Sequence, residues 1–158
     1  VNILWHRLVV SMASATLALS AIAADDPPAV TAGDPLGEAR EQISAKQWPQ
    51  AVAELKRVNQ TRSADWNNLM GFALRKQTPP DLAGARKHYD AALRLDPKHK
   101  GALEYAGELD LMTGDLAAAE QRLQRLEAVC GTSCEEYADL KGAIERFKAA
   151  GNRYVPES

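Results

Sequence analysis

Aromatic residues are scarce in this chain, 6% of its 158 residues, and there are only two cysteines. With alanine and leucine dominant instead, the composition favours helices packed through small side chains over a sheet, which draws on aromatic and β-branched residues. Positive charge is not in excess: the formal net charge is −2. A phosphate-binding surface needs a clear basic surplus, so nucleic acid is not an expected partner. The residue sets of enzymes are missing too. There is no Ser/His/Asp spacing, no glycine-rich phosphate loop and no cluster among the three histidines, so no catalytic residue, cofactor or metal is expected. The remaining balance, 46% hydrophobic and 25% charged, excludes wholesale disorder and suits one domain with its own core.

Long apolar runs are likewise absent, save one. His6 and Arg7 precede an apolar stretch from Leu8 to Ala23, interrupted by little beyond Ser and Thr and ending in Ala21-Ile22-Ala23. Positive start, apolar middle and small-x-small end predict a cleaved signal peptide over residues 1–23. About 16 apolar residues is short for a membrane span, so no stable membrane insertion is expected after cleavage. Val1 in the place of Met implies an alternative start codon and hence a bacterium, which makes the expected destination the periplasm. Residues 24–33, rich in Asp, Pro and Ala, read as a flexible linker.

From residue 34 to 150 the chain repeats itself. Ala51, Ala85 and Ala119 are spaced by 34 residues, preceded three positions earlier by Trp48, Leu82 and Leu116. Leu55, Tyr89 and Leu123 follow four positions later, and Val58, Ala92 and Leu126 seven positions later. Offsets of this kind lie on one face of a helix. A constant period through three units predicts a stack of helix-turn-helix pairs, with each alanine where two helices cross closely. Ala39, Gly71 and Gly107 are the matching small residues on the first helix of each unit. Gly71 precedes Ala85 by two residues more than the other pairs are separated, so the second unit's turn, Gln77-Thr78-Pro79-Pro80-Asp81, carries the extra length. Thr113-Gly114-Asp115 is the corresponding turn of the third unit. Asp34-Pro35 reads as the start of the first helix, with Asp34 as its N-cap.

These columns resemble the tetratricopeptide repeat (TPR) family: Gly71, Ala85, Tyr89, Ala92 and Pro97 in the second unit, Gly107, Gly114-Asp115, Ala119, Leu123 and Leu126 in the third. The resemblance implies an all-α fold, a right-handed solenoid of about three repeats closed by a capping helix, seven helices in all. That capping helix is expected from Cys134 to Ala150, with Tyr137, Leu140, Ile144 and Phe147 on its apolar face. Gly151-Asn152 ends it and opens a C-terminal tail, residues 151–158.

Cys130 and Cys134 flank the loop before the capping helix. In an oxidising compartment two cysteines this close are expected to form a disulfide. Ser133 and Glu136 read as a capping box that places Cys134 in the helix's first turn. The alternative is thiol-redox or copper chemistry at the same two residues, with His88 and His99 as the further ligands that copper would need. The Cys130–Tyr137 segment also resembles the end of a set of exported bacterial TPR proteins.

In TPR arrays the first helix of each unit lines a concave groove. The resemblance therefore places Asn68, Phe72, Arg75 and Lys76 of the second unit, and Glu104, Tyr105, Glu108 and Met112 of the third, on a partner-binding surface. Two aromatics and a methionine among charges suit a protein or peptide ligand. The clamp of Lys, Asn and Arg with which some TPR adaptors grip a C-terminal carboxylate is not expected, because Glu104 and Glu108 stand on that face. They imply a partner bearing Lys or Arg, with an acidic stretch near Arg75 and Lys76. Self-association through the groove is the other expected use of the surface.

Overall fold

The structure, a computed structural model, describes residues 33–156. The signal peptide over 1–23 and all but the last residue of the 24–33 linker lie outside the described residues. Among the latter there are seven α-helices and no strand: α1 (Gly37–Ser44), α2 (Trp48–Val58), α3 (Ala64–Lys76), α4 (Leu82–Leu95), α5 (Lys100–Met112), α6 (Leu116–Cys130) and α7 (Glu135–Ala149). None of them is long and apolar enough to cross a membrane.

The order of contacts makes two layers. α1, α3, α5 and α7 lie side by side, each touching the next, and form one layer. α2, α4 and α6 form the other; each wedges between two helices of the first layer and none touches another of its own. That wedge needs a small residue where the helices cross, and Ala51, Ala85 and Ala119 are all fully buried there. Leu55, Tyr89, Ala92 and Leu126 beside them are also fully buried. The core runs along the array as three buried clusters, around Leu55, Trp66 and Met70, around Tyr89 and Leu109, and around Leu126, Leu140 and Phe147, bridged by half-buried Leu74 and Leu93.

The turns account for the irregular spacing. Residues 77–81 join α3 to α4, whereas residues 113–115 join α5 to α6, so the two extra residues of the second unit sit in its turn. Asp81 and Asp115, one period apart, are N-caps; their carboxylates accept from Gly84 N and Ala118 N. Gly114 takes φ +82°, the left-handed conformation that stops α5.

Three boundaries differ from expectation. α1 begins at Gly37, not at Pro35. Asp34 and Pro35 form a preceding turn in which the Asp34 carboxylate accepts from Leu36 N at 3.0 Å, so the cap acts one step early. α7 begins at Glu135 with Cys134 as its N-cap, and no side chain caps it. The expected Ser133–Glu136 box does not form, because Glu136 points to Lys100, with oxygens 2.8 and 3.0 Å from its Nζ. His99, weighed above as a further copper ligand, is the N-cap of α5: its Nδ1 accepts from Ala102 N.

α7 closes the array. Leu140, Ala143, Ile144 and Phe147 face inward and are at most 4% exposed. Its opposite face carries exposed Ala138, Lys141 and Glu145, the last two paired at 4.0 Å.

Candidate functional site

The side-by-side packing of α3 and α5 brings together the eight residues expected on the partner surface. Asn68, Phe72, Arg75 and Lys76 recur at three- and four-residue steps along α3, and Glu104, Tyr105, Glu108 and Met112 do so along α5, so each set lies on one stripe. The stripes meet through the Phe72 and Tyr105 rings, whose centroids are 4.7 Å apart. Trp48, from the start of α2, meets Phe72 edge-on at 6.0 Å. Trp48, Phe72 and Tyr105, all half-buried, thus form one aromatic strip across three units. Lys76 is exposed, with its Nζ 5.5 Å from the centre of the Phe72 ring.

The charges on this face are less available than their pattern implies. Arg75, expected to meet an acidic partner, is 3% exposed. It is ion-paired with Glu108, itself 8% exposed, and its guanidinium lies 5.5 and 5.6 Å from the Phe72 and Tyr105 ring centres. The Met112 sulfur completes its surroundings at 4.0 Å. Burial opposes the arginine's charge, but neighbouring Tyr89 and Glu108 more than offset this and hold its pKa above the ordinary value. Tyr154 of the C-terminal tail returns to this place and packs against the core beside Arg75 and Glu108. Arg75 and Glu108 therefore face each other rather than solvent.

Glu104, one helical turn from Glu108, and Asn68, two turns from Arg75, are also buried. Burial, followed by the nearby Glu108, Asp139 and Glu136, pushes the Glu104 carboxyl up to about 8. Burial and Glu104 push the Tyr105 hydroxyl up to about 12.

Three side-chain pairings escape a reading of the sequence, although the packing role of Trp66 against the neighbouring unit is expected from it. Asp110 is fully buried and clamped by Arg86 at 2.7 Å and Arg122 at 2.5 Å, which ties α4, α5 and α6 together. Trp66, 4% exposed, donates from Nε1 to the Leu55 carbonyl at 2.7 Å, which fixes it as a packing residue between units. Arg40, Asp65 and His99 form a chain along the first layer at 3.6 and 2.9 Å. Because His99 Nδ1 accepts from the backbone, its Nε2 carries the proton and donates to Asp65.

The sulfurs of Cys130 and Cys134 are at bonding distance, 2.03 Å. With Glu136 they are the one set of metal-type ligands within 4.8 Å of each other among the described residues. Neither histidine expected to assist copper joins that set. His99 is engaged as above, and His88 Nδ1 meets the Asn67 side chain at 3.0 Å. Burial, then Lys87, lowers the pKa of His88.

A family model described as tetratricopeptide repeat matches residues 81–144, from the N-cap of α4 into α7. No curated protein matches the chain.

Proposed function

We propose that this chain is a tetratricopeptide-repeat protein acting as a non-catalytic adaptor or assembly factor, because a model of that family matches residues 81–144 and such repeats generally mediate protein interactions. It is exported to the periplasm and holds a protein or peptide in a groove along the α3–α5 face. The observation that carries this reading is the half-buried aromatic strip of Trp48, Phe72 and Tyr105, with exposed Lys76 beside it. Rigid rings held half-open by their neighbours are the side chains from which interfaces draw most of their affinity. The periplasmic assignment rests on the apolar segment before residue 24 and on a cysteine pair that an oxidising compartment keeps joined.

The test is photo-crosslinking in the native cell, with the crosslinking residue at Lys76 and a control at Gln124, which is exposed on α6. A discrete protein captured from position 76 alone supports the groove. Equal capture from both positions, or none from either, counts against it.

A second reading has its own observation, the Cys130, Cys134 and Glu136 set. If the protein handles thiols or copper, replacing both cysteines with serine abolishes function. An adaptor keeps its partner through that change.

A further inference from the structure

After α7 the chain turns back over its own array. Gly151 and Asn152 take φ +68° and +60°, and their N–H groups donate to the Lys148 and Phe147 carbonyls at 3.1 and 3.0 Å. Two successive left-handed residues reverse a chain, and glycine and asparagine adopt that conformation most readily. Of residues 151–156, Tyr154 is turned inward and the others are exposed, Val155 by 40%.

Tyr154 comes to rest on the partner face. It packs against the core beside Arg75 and Glu108, and burial raises the pKa of its hydroxyl. The Arg75 guanidinium already has the Phe72 and Tyr105 rings at 5.5 and 5.6 Å, so Tyr154 is a further aromatic neighbour of the same cation. The tail thus occupies the Arg75 end of the stripe that carries Phe72. Within residues 151–156 its anchor is this one ring. From 153 to 156 the backbone forms no bond to the backbone of a helix among the described residues, and Arg153 Nε donates to Ala150 O within its own turn at 3.1 Å. A segment with one half-buried anchor belongs to the low-stability end of a fold, which opens without the rest.

We propose that the C-terminal tail is a resident occupant of the groove, with Tyr154 in a slot beside Arg75, and that a partner binds by putting a tyrosine or phenylalanine of an extended segment in its place. The inference rests on the adaptor reading and deepens it, since the tail shows which kind of side chain the groove takes. An aromatic ring seated against a guanidinium is the kind of anchor from which interfaces draw affinity. Tethering holds the tail at an effective concentration on the order of millimolar, so even a weak seat filters out weaker ligands.

The test uses the full chain and the blocked peptide Gly-Asn-Arg-Tyr-Val-Pro, the sequence of residues 151–156, with a second peptide in which alanine replaces the tyrosine. Amide shifts of Phe72, Arg75, Tyr105 and Glu108 are followed by NMR in the parent, in Tyr154→Ala and in Asn152→Val. Tyr154→Ala vacates the slot and should bind the tyrosine peptide saturably, about tenfold or more tighter than the parent does. Asn152→Val keeps Tyr154 and every groove residue but disfavours the left-handed turn, so it should bind the peptide about threefold or more tighter than the parent. The alanine peptide should leave all three proteins unmoved.

Equal affinity for the parent and both variants overturns the proposal, as does an equal response to the alanine peptide. If Tyr154→Ala loses helicity, Asn152→Val decides alone, because its core and slot are unaltered. A parent dimer that Tyr154→Ala converts to a monomer in sedimentation would seat the tail in a second copy and overturn the internal seat. In the cell, capture from position 76 should rise in Asn152→Val. A partner captured equally from parent and variant would leave the adaptor standing and overturn the tail's competition with it. Peptide binding as expected, with no partner captured from any chain, would keep the tail's seat and its preference for a ring but overturn the adaptor reading.

Discussion

A methyl group added at Gly71 would lie 2.7 and 2.8 Å from two carbons of the Tyr89 ring, and that ring is fully buried. Neither side can yield without moving a helix. Gly71→Ala should therefore destabilise the protein by about 1–3 kcal/mol in a urea melt, although alanine is otherwise the better helix former. Gly107 has the same constraint against Leu140, at 2.6 Å, so its partner is α7 and not the second helix of its own unit. Glu104 makes a different prediction. Its carboxyl titrates near 8 in the fold and near 4.5 as a free side chain, so the native state keeps a proton that the unfolded chain releases. Stability from this group is full below about 4.5, declines as pH rises towards 8 and is flat above. Glu104→Gln should flatten that decline and leave the variant more stable than the parent at pH 9. Urea midpoints at pH 5, 7 and 9 check it, and parallel curves for the two proteins would contradict it.

At the scale of elements, the cysteine pair joins the end of α6 to the N-cap of α7. A loop this short adds on the order of 2 kcal/mol by chain entropy, whereas α7 is also held by four buried apolar side chains. Reduction should therefore raise amide exchange around residues 131–136 and leave the exchange of α3–α5 unaltered. Global loss of helicity would show that the link carries the array. The helices themselves were readable from the sequence because burial at a crossing imposes a period, and 34 residues is long enough to recognise. The turn lengths followed from Pro79-Pro80 and Gly114. What the sequence does not display is pairing across helices. Asp110 looks like one more acid on α5, since Arg86 and Arg122 are 24 and 12 residues away with no periodic link to it. For the same reason the stripe of eight site residues was legible as a stripe, but not the mutual burial of Arg75 and Glu108, which needs both helices and Tyr154 in place.

For the molecule as a whole, α7 is a lid on an unfinished core. Leu140, Ile144 and Phe147 are at most 4% exposed, and burying each is worth about 1.5–3 kcal/mol. Their sum is comparable to the total stability of an ordinary domain. A chain stopped after Gly131 should lose much of its helicity and associate, as judged by circular dichroism and sedimentation. A truncated monomer that melts like the full chain would mean that α7 is an appendage. The far side of this lid has another consequence. A repeat array lengthens by laying one more helix pair on its last apolar face, and here that face is turned inward while Ala138, the Lys141–Glu145 pair and solvent occupy the other. Growth at this end is closed. Anyone wishing to graft further repeats onto the scaffold would first have to make the outer side of α7 greasy, beginning at positions 138, 141 and 145.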